Sequence, residues 1–328
     1  MKTVDRRYVV GLMAFLIALL SLASGYSQEA KPADANEVFS VVLLPDTQFY
    51  SEKYPETFVS QTMWIRERAK ADNIKFVVCL GDIVQNAHIE EEWVRAHMSA
   101  WILDGVVPYS SVPGNHDLVS KDKVITRDST LFNKYFGPQR FEKESWYGGH
   151  KGETNDNNYC VFKAAGKDFL VLSLEFAPRD EALEWAAEVC QKFPNHNVIV
   201  ATHSYLNLQG RTTGQAKVAD STANSGQQMW EKLVSKQPNV FMVACGHVGG
   251  VNLLVSKNEA GGQVIEILTD YQNLDKGGLG WLRTMKFVPA ENKIYVDCYS
   301  PLLKEHNTSP KHTHTIDLDF STLRASKS

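Results

Sequence analysis

Short, nearly continuous apolar runs recur along the chain at Val38–Leu44, Lys75–Leu80, Pro108–Val112, Phe169–Leu174, Asn197–Thr202 and Asn239–Cys245. Runs of this kind predict strands buried on both faces. Between most of them the period becomes helical. Phe58, Thr62, Ile65 and Ala69 repeat at helical spacing, as do Ala182, Ala186 and Val189 with Leu183 and Cys190 beside them; Glu91–Leu103 and Ser225–Lys236 are further helical segments. This alternation predicts an α/β domain with a largely parallel sheet. From residue 250 only β-like runs remain, at Val251–Val255, Val264–Leu268, Trp281–Val288, Lys293–Tyr299 and Thr313–Phe320. They are expected to be antiparallel strands that extend or cover the parallel part. The polar, Gly-rich segment 137–158 is expected to be a long irregular loop, the kind of segment that often carries function.

The N-terminus has a different pattern. Lys2, Arg6 and Arg7 precede the uncharged run Val9–Leu22, and small residues follow at Ala23, Ser24, Gly25 and Ser27. This is the layout of a signal peptide, and the run is shorter than the ~20 residues a spanning helix needs. The expected organisation is a signal peptide at 1–27, a polar linker at 28–37 and one domain at 38–322. The protein would then be exported, periplasmic or extracellular, with no membrane span in the mature chain. Composition agrees with a globular domain: 43% hydrophobic and 22% charged residues. The net charge is −4, and loss of the leader, with its three basic residues and Asp5, makes the remainder two charges more negative. No nucleic-acid-binding surface is implied. The five cysteines show no CxxC spacing and sit in apolar runs or on a helix, so they are expected to be buried small hydrophobes.

Metal-capable side chains follow the apolar runs. VVLLPD ends at Asp46, FVVCLGD at Asp82, SSVPGNHD at Asn115, His116 and Asp117, VIVATH at His203 and FMVACGH at His247. Ligands bind at the carboxyl ends of parallel strands. A single aspartate there is ordinary turn chemistry; five such endings with three histidines are not. Two carboxylates, an amide oxygen and two imidazoles make a mixed N/O set that suits Zn, Fe or Mn.

Gly81-Asp82-x-x-x-Asn86, Gly114-Asn115-His116-Asp117, His203 and Gly246-His247 resemble the calcineurin-like metallophosphoesterases. The resemblance implies a four-layer α/β/β/α sandwich of two mixed sheets flanked by helices. It also implies one or two divalent ions and hydrolysis of a phosphomonoester or phosphodiester by metal-bound hydroxide. Carried over by position, Asp82 would bridge two ions, and Asn115, His203 and His247 would complete the second-ion site. Asp46 would bind the first ion. His116, paired with Asp117, would act near the leaving group as an acid, and Asn86 would be a structural hydrogen-bonder.

Both departures from the family pattern strike the first-ion site. Asp46-Thr47-Gln48 stands in place of Asp-x-His, and Gly246-His247-Val248-Gly249 in place of Gly-His-x-His. Gln48 would offer a carbonyl oxygen and Asp270, in the run LTDYQ, a compensating carboxylate. Such a weakened site would favour Mn, Mg or Ca. The substrate would be a small phosphorylated molecule. The alternative reading is a non-catalytic metallophosphoesterase-like metal- or ligand-binding protein. A dinucleotide-binding enzyme is disfavoured, since no G-x-G-x-x-G follows the first strand. Weaker candidates are Tyr50, Trp146, Tyr147, Asn157, Asn158, Tyr159, Tyr271 and Trp281 as pocket-lining residues, and His312 and His314 as a chelating pair.

Overall fold

The computed structural model describes residues 34–326, with the exception of Gln215 and Ser221. The expected signal peptide and most of the linker lie outside the described residues. Three strands, β1 (Phe39–Leu44), β2 (Ile74–Cys79) and β3 (Tyr109–Ser111), are parallel neighbours in a first sheet. The chain then builds a second sheet from β4 (Tyr147–His150), β5 (Asn158–Ala164), β6 (Lys167–Leu174), β7 (Asn197–Thr202), β8 (Val240–Cys245), β9 (Gly250–Lys257) and β10 (Gln263–Asp270). It returns to the first sheet with β11 (Leu282–Val288), β12 (Lys293–Ser300), β13 (Glu305–His306) and β14 (His314–Asp317). The first sheet has the order β13-β12-β11-β1-β2-β3, with β14 also on β12, and the second the order β9-β10-β8-β7-β6-β5-β4.

Both sheets are mixed, with a parallel centre and antiparallel flanks. In the first, β11 pairs antiparallel to β1. In the second, β6, β7, β8 and β10 are parallel, while β5 and β9 run against them. The post-250 strands therefore differ in one respect from expectation: β10 is parallel to β8, register Met242↔Ile265 to Cys245↔Leu268. The reversal at β9 turns the chain so that β10 re-enters in the direction of β8. Its carboxyl end, Asp270, consequently emerges beside that of β8.

Alternation along each strand explains the layers. Phe39, Val41 and Leu43 of β1 and Phe76 and Val78 of β2 meet Phe169, Val171, Ile199, Ala201, Met242 and Ile265 of the second sheet in a central core. The alternate positions Val42, Leu44 and Val77 pack outward on Phe58 and Ile65 of α2 (Pro55–Arg68), after the short α1 (Gln48–Lys53), and on Trp93 and Ala96 of α3 (Glu90–Trp101). On the other side Leu170, Leu172, Val198 and Val243 pack on Leu183, Ala186 and Val189 of a helix at Asp180–Lys192, and on Met229 and Leu233. Each fully buried Val, Leu, Ile or Phe contributes about 1.5–3 kcal/mol, so the inner faces fix how the sheets stack. The result is the expected four-layer α/β/β/α sandwich.

Ser225 starts the last large helical segment with a capping box, its side chain accepting from the Gln228 backbone while the Gln228 side chain accepts from Ser225 N–H. Segment 137–158 is more ordered than expected: a short helix at Pro138–Phe141 precedes β4, and Trp146 and Tyr147 pack on the cores. Tyr50, Tyr159, Tyr271 and Trp281 are likewise buried packing residues rather than pocket walls. All five cysteines are buried and unbridged. No helix among the described residues is long and apolar enough to cross a membrane.

Candidate metal centre

The carboxyl ends of the parallel strands from both sheets face one another. The connections after β1, β2 and β8 are tight, and three site residues take left-handed backbone: Asp46 at φ 25°, Asp82 at φ 47° and His247 at φ 75°. Strain of this kind persists where the surroundings over-determine it. Two glycines permit the close approaches. A Cβ on Gly114 would lie 2.2 Å from Asp82 Oδ1, and one on Gly246 would lie 2.3 Å from Asp46 Oδ2.

Asp82, His203 and His247 bring one ligand atom each to within 4.8 Å of one another, the one such group of three His, Cys, Asp or Glu among the described residues. His203 is fully buried. Its Nδ1 lies 2.7 Å from Leu80 O, an atom that can only accept, so Nδ1 carries hydrogen. Nε2 lies 3.1 Å from Asp82 Oδ2 and 3.2 Å from Asn115 Oδ1. In the neutral ring three acceptors thus converge on one point. They hold together only around a cation or a proton, and a carbonyl-oriented imidazole beside a carboxylate is the usual dressing of a metal ligand.

Electrostatics favour positive charge at this point. Burial works to lower the His203 pKa, yet Asp82 and Asp46 raise it to about 10. Burial, reinforced by the charge of His203, pushes His247 down to about 4, so its ring is neutral at neutral pH. Burial opposes ionisation of Asp82, but His203 outweighs it and the pKa is lowered. Phe176 packs against both rings, at 5.9 Å from His203 and 5.5 Å from His247 between centroids. Asp82, Asn115, His203 and His247 therefore fit a divalent ion.

The other expected site residues have different surroundings. Asp46 Oδ1 accepts the His247 N–H at 3.0 Å, which fixes the turn carrying that imidazole. Gln48 was expected to present its oxygen; its Nε2 donates to Asp82 Oδ2 at 3.2 Å and to Gln272 Oε1, while its Oε1 is buried with no partner among the described residues. His116 was expected to pair with Asp117. Its Nδ1 faces Gln85 O at 2.9 Å, and its backbone N–H donates to Asp82 Oδ1 at 2.8 Å. The Asp117 carboxylate is used up by backbone N–H groups of Ile83, Val84 and Gly114 at 2.9, 3.0 and 2.7 Å. It ties the loop after β2 to the loop after β3, because those loops expose backbone donors that no strand satisfies. Asn86 is structural, its amide held by Glu92 Oε1 at 2.7 Å while Glu92 Oε2 accepts the Gln85 and Asn86 N–H groups. His312 and His314 flank Arg283, which lowers the pKa of both after burial.

Two neighbours escaped the sequence reading, Gln272 and Asn273. Their signal was available: the run ending in Leu268-Thr269-Asp270 is one more strand with a carboxylate at its end. Beside the ion position lies a groove of about 470 Å³, with Asn115 and His247 at one side and Ser204, Asn207, Thr212, Lys217 and Asn224 among its walls. Arg127 braces it, donating to Asp220 at 2.7 Å and to Ala177 O at 2.8 Å, and Ile125 bridges to Val218. A larger groove of about 570 Å³ on the outer face of the first sheet includes none of the metal-capable cluster.

The chain is similar to several known proteins. The chain is 32% identical over 294 residues to the uncharacterized protein YvnB of Bacillus subtilis (strain 168), covering 88% of this chain and 22% of that one. It is 23% identical over 192 residues to the probable glycerophosphodiester phosphodiesterase GpdQ of Arcobacter nitrofigilis, covering 54% of this chain and 57% of that one. The chain thus spans about a fifth and somewhat over half of these relatives' lengths. The fold is shared with the purple acid phosphatase PPD1 of yellow lupin (Lupinus luteus) seeds at TM-score 0.52 and 12% identity, over 90% of this chain and 56% of that one. With residues 39–250 matching the family model for calcineurin-like phosphoesterases, the chain belongs to that family.

Proposed function

We propose that this protein is a metal-dependent hydrolase of small phosphodiesters, acting at the Asp82–Asn115–His203–His247 cluster. The convergence of ligand atoms from Asp82, Asn115, His203 and His247 carries this reading, since a divalent ion would satisfy together the acceptors that a proton on His203 satisfies only in part. A divalent ion so placed would polarise a phosphoryl oxygen and lower the pKa of a water from 15.7 towards ~7. The chain's own residues do the rest. Leu80 O and Phe176 hold the His203 ring, Asp46 holds the His247 turn, and the Asp82 backbone geometry fixes the shared carboxylate. His116 directs its Nδ1 hydrogen at Gln85 O, so it is the doubly protonated ring that would carry an Nε2 hydrogen to give to a departing alkoxide.

The groove supports a diester over a monoester. Its hydroxyl and amide walls suit a polar alcohol, and Lys217 is the one Lys or Arg in its lining among the described residues. A singly charged diester needs less neutralisation than a doubly charged monoester. The Arcobacter relative's name points to the same class. Export by the N-terminal leader belongs to this proposal. Purified protein loaded with Mn or Zn should turn over bis-aryl phosphate and glycerophosphodiesters, with rates that follow metal content, and should hydrolyse aryl monophosphate more slowly. Protein made in full length should be recovered from the exported fraction starting near residue 28. A metal-loaded protein inert on the whole panel would reject hydrolysis and leave the non-catalytic binding reading.

A further inference from the structure

The position of a first ion does not fit the residues around it. Gln48 Nε2 has two hydrogens, and both are committed, to Asp82 Oδ2 at 3.2 Å and to Gln272 Oε1. Turning the amide over would set its oxygen against two acceptors, so the donor orientation is fixed by its partners. Gln272 continues the chain of bonds: its Nε2 donates to Asp270 Oδ2 at 2.8 Å and to His247 O at 3.1 Å, and its backbone N–H donates to Asp270 Oδ1 at 2.8 Å. Each Asp270 oxygen thus accepts an N–H of Gln272, which turns the carboxylate toward that residue's amides.

The second departure from the family pattern has the same origin. A Cβ on Gly249 would lie 2.0 Å from Asn273 Nδ2 and 2.9 Å from its Cγ. The space that a side chain at 249 would enter is filled by the Asn273 amide. Of the oxygens near this position, Asp46 Oδ2 and Gln48 Oε1 have no partner among the described residues, Asp46 Oδ1 serves the His247 N–H, and Asp82 is shared with His203. With three such side chains at most, the position offers fewer protein ligands than the four of the Asp82–Asn115–His203–His247 cluster, and water would have to complete the coordination of any ion there.

We infer that this chain is a one-ion member of its family, in which the side-chain amides of Gln48, Gln272 and Asn273 fill the first-ion position. The amide donors of Gln48 and Gln272 tie Asp82 to Asp270 across the two sheets by hydrogen bonds. Asp46 becomes a positioning residue for the His247 turn. This deepens the hydrolytic reading, on which it rests only in taking the retained ion to be the catalytic one.

The test is stoichiometry. Wild-type protein saturated with Mn²⁺ and examined by native mass spectrometry should hold one ion per chain, with the electron paramagnetic resonance spectrum of an isolated Mn²⁺. Two ions per chain with an exchange-coupled spectrum would overturn the inference. One ion with no turnover of any phosphoester would leave it standing and remove the hydrolytic reading. A second arm uses Q48H, G249H and N273G together. The folded triple variant should gain a second Mn²⁺, whereas G249H alone, still facing Asn273, should not. A folded triple variant that stays at one ion would show that these amides are not what excludes it.

Discussion

Asp82 and Asp270 stand at the carboxyl ends of parallel strands in opposite sheets, both almost wholly buried, and they are settled by different means. Asp82 faces two imidazoles and an amide oxygen, a set that leaves a cation's place among them. Asp270 faces amide N–H groups that close around it. A buried carboxylate must be paired or hydrogen-bonded. Asp82 accepts N–H groups too, from His116 and Gln48; what sets it apart, and makes it the candidate metal ligand, is the pair of imidazoles whose ligand atoms lie within 4.8 Å. Two further cases extend the series. Asp117 is satisfied by three backbone N–H groups, and Glu175, after β6, by Arg179 through Nε and Nη2 at 2.9 Å each.

The largest effect should follow from breaking the lone-pair side of the comparison. His247→Ala should lower ion affinity by at least ~100-fold, beyond the 10–100-fold loss seen for outer-shell changes, and abolish turnover. Gln48→Ala should leave one ion per chain with less than about a tenfold change in affinity. Isothermal titration with Mn²⁺ on both variants checks the contrast, and equal losses would erase it. Next in size is Asp117→Asn, which places an amide against backbone donors. It should cost about 3 kcal/mol, the order of losing a charge-assisted bond and leaving a buried N–H unpaired. Urea unfolding measures it, and an unchanged midpoint would show that the three bonds contribute little.

The smallest effect concerns Glu175. Burial opposes its ionisation, but Arg179 and Arg127 outweigh burial and hold the pKa below the ordinary value of 4.5. A depressed folded pKa means that stability is present above the unfolded value and is lost as pH falls through the folded one. Between pH 4.5 and the lowered pKa, wild-type stability should therefore drop more steeply than that of Glu175→Gln. Thermal melts across that window would show it, and parallel pH profiles would mean that the ion pair stabilises nothing.

The retained site was legible because each ligand is announced locally. Glycine before Asp82, Asn115 and His247, at the end of an apolar run, marks a chain that turns sharply with a polar group exposed. Five such endings imply convergence once the strands are parallel. The first-ion position was legible only as a loss, at Gln48 and Gly249. The Gln272 and Asn273 amides, proposed to stand in their place, follow a strand that the sequence placed among antiparallel coverings. Residue spacing does not reveal that β10 re-enters parallel to β8, because a two-residue period reads the same in either direction. Asp117 misled for a related reason. Adjacency in GNHD suggested a partner for His116, whereas the side chains point to separate loops and the carboxylate finds backbone donors of Ile83 and Val84.

The sequence by itself determined the layers and the ligand types. Alternating apolar faces dictate two stacked sheets under helices, and residue chemistry dictates that Asp82, Asn115, His203 and His247 present oxygen and nitrogen lone pairs. Only the tertiary structure decided which hydrogen each lone pair meets. Gln48 has both an acceptor and two donors, and nothing along the chain chooses between them. The choice is made by Asp82 and Gln272, contributed by different sheets, whose oxygens leave room for N–H and none for another oxygen.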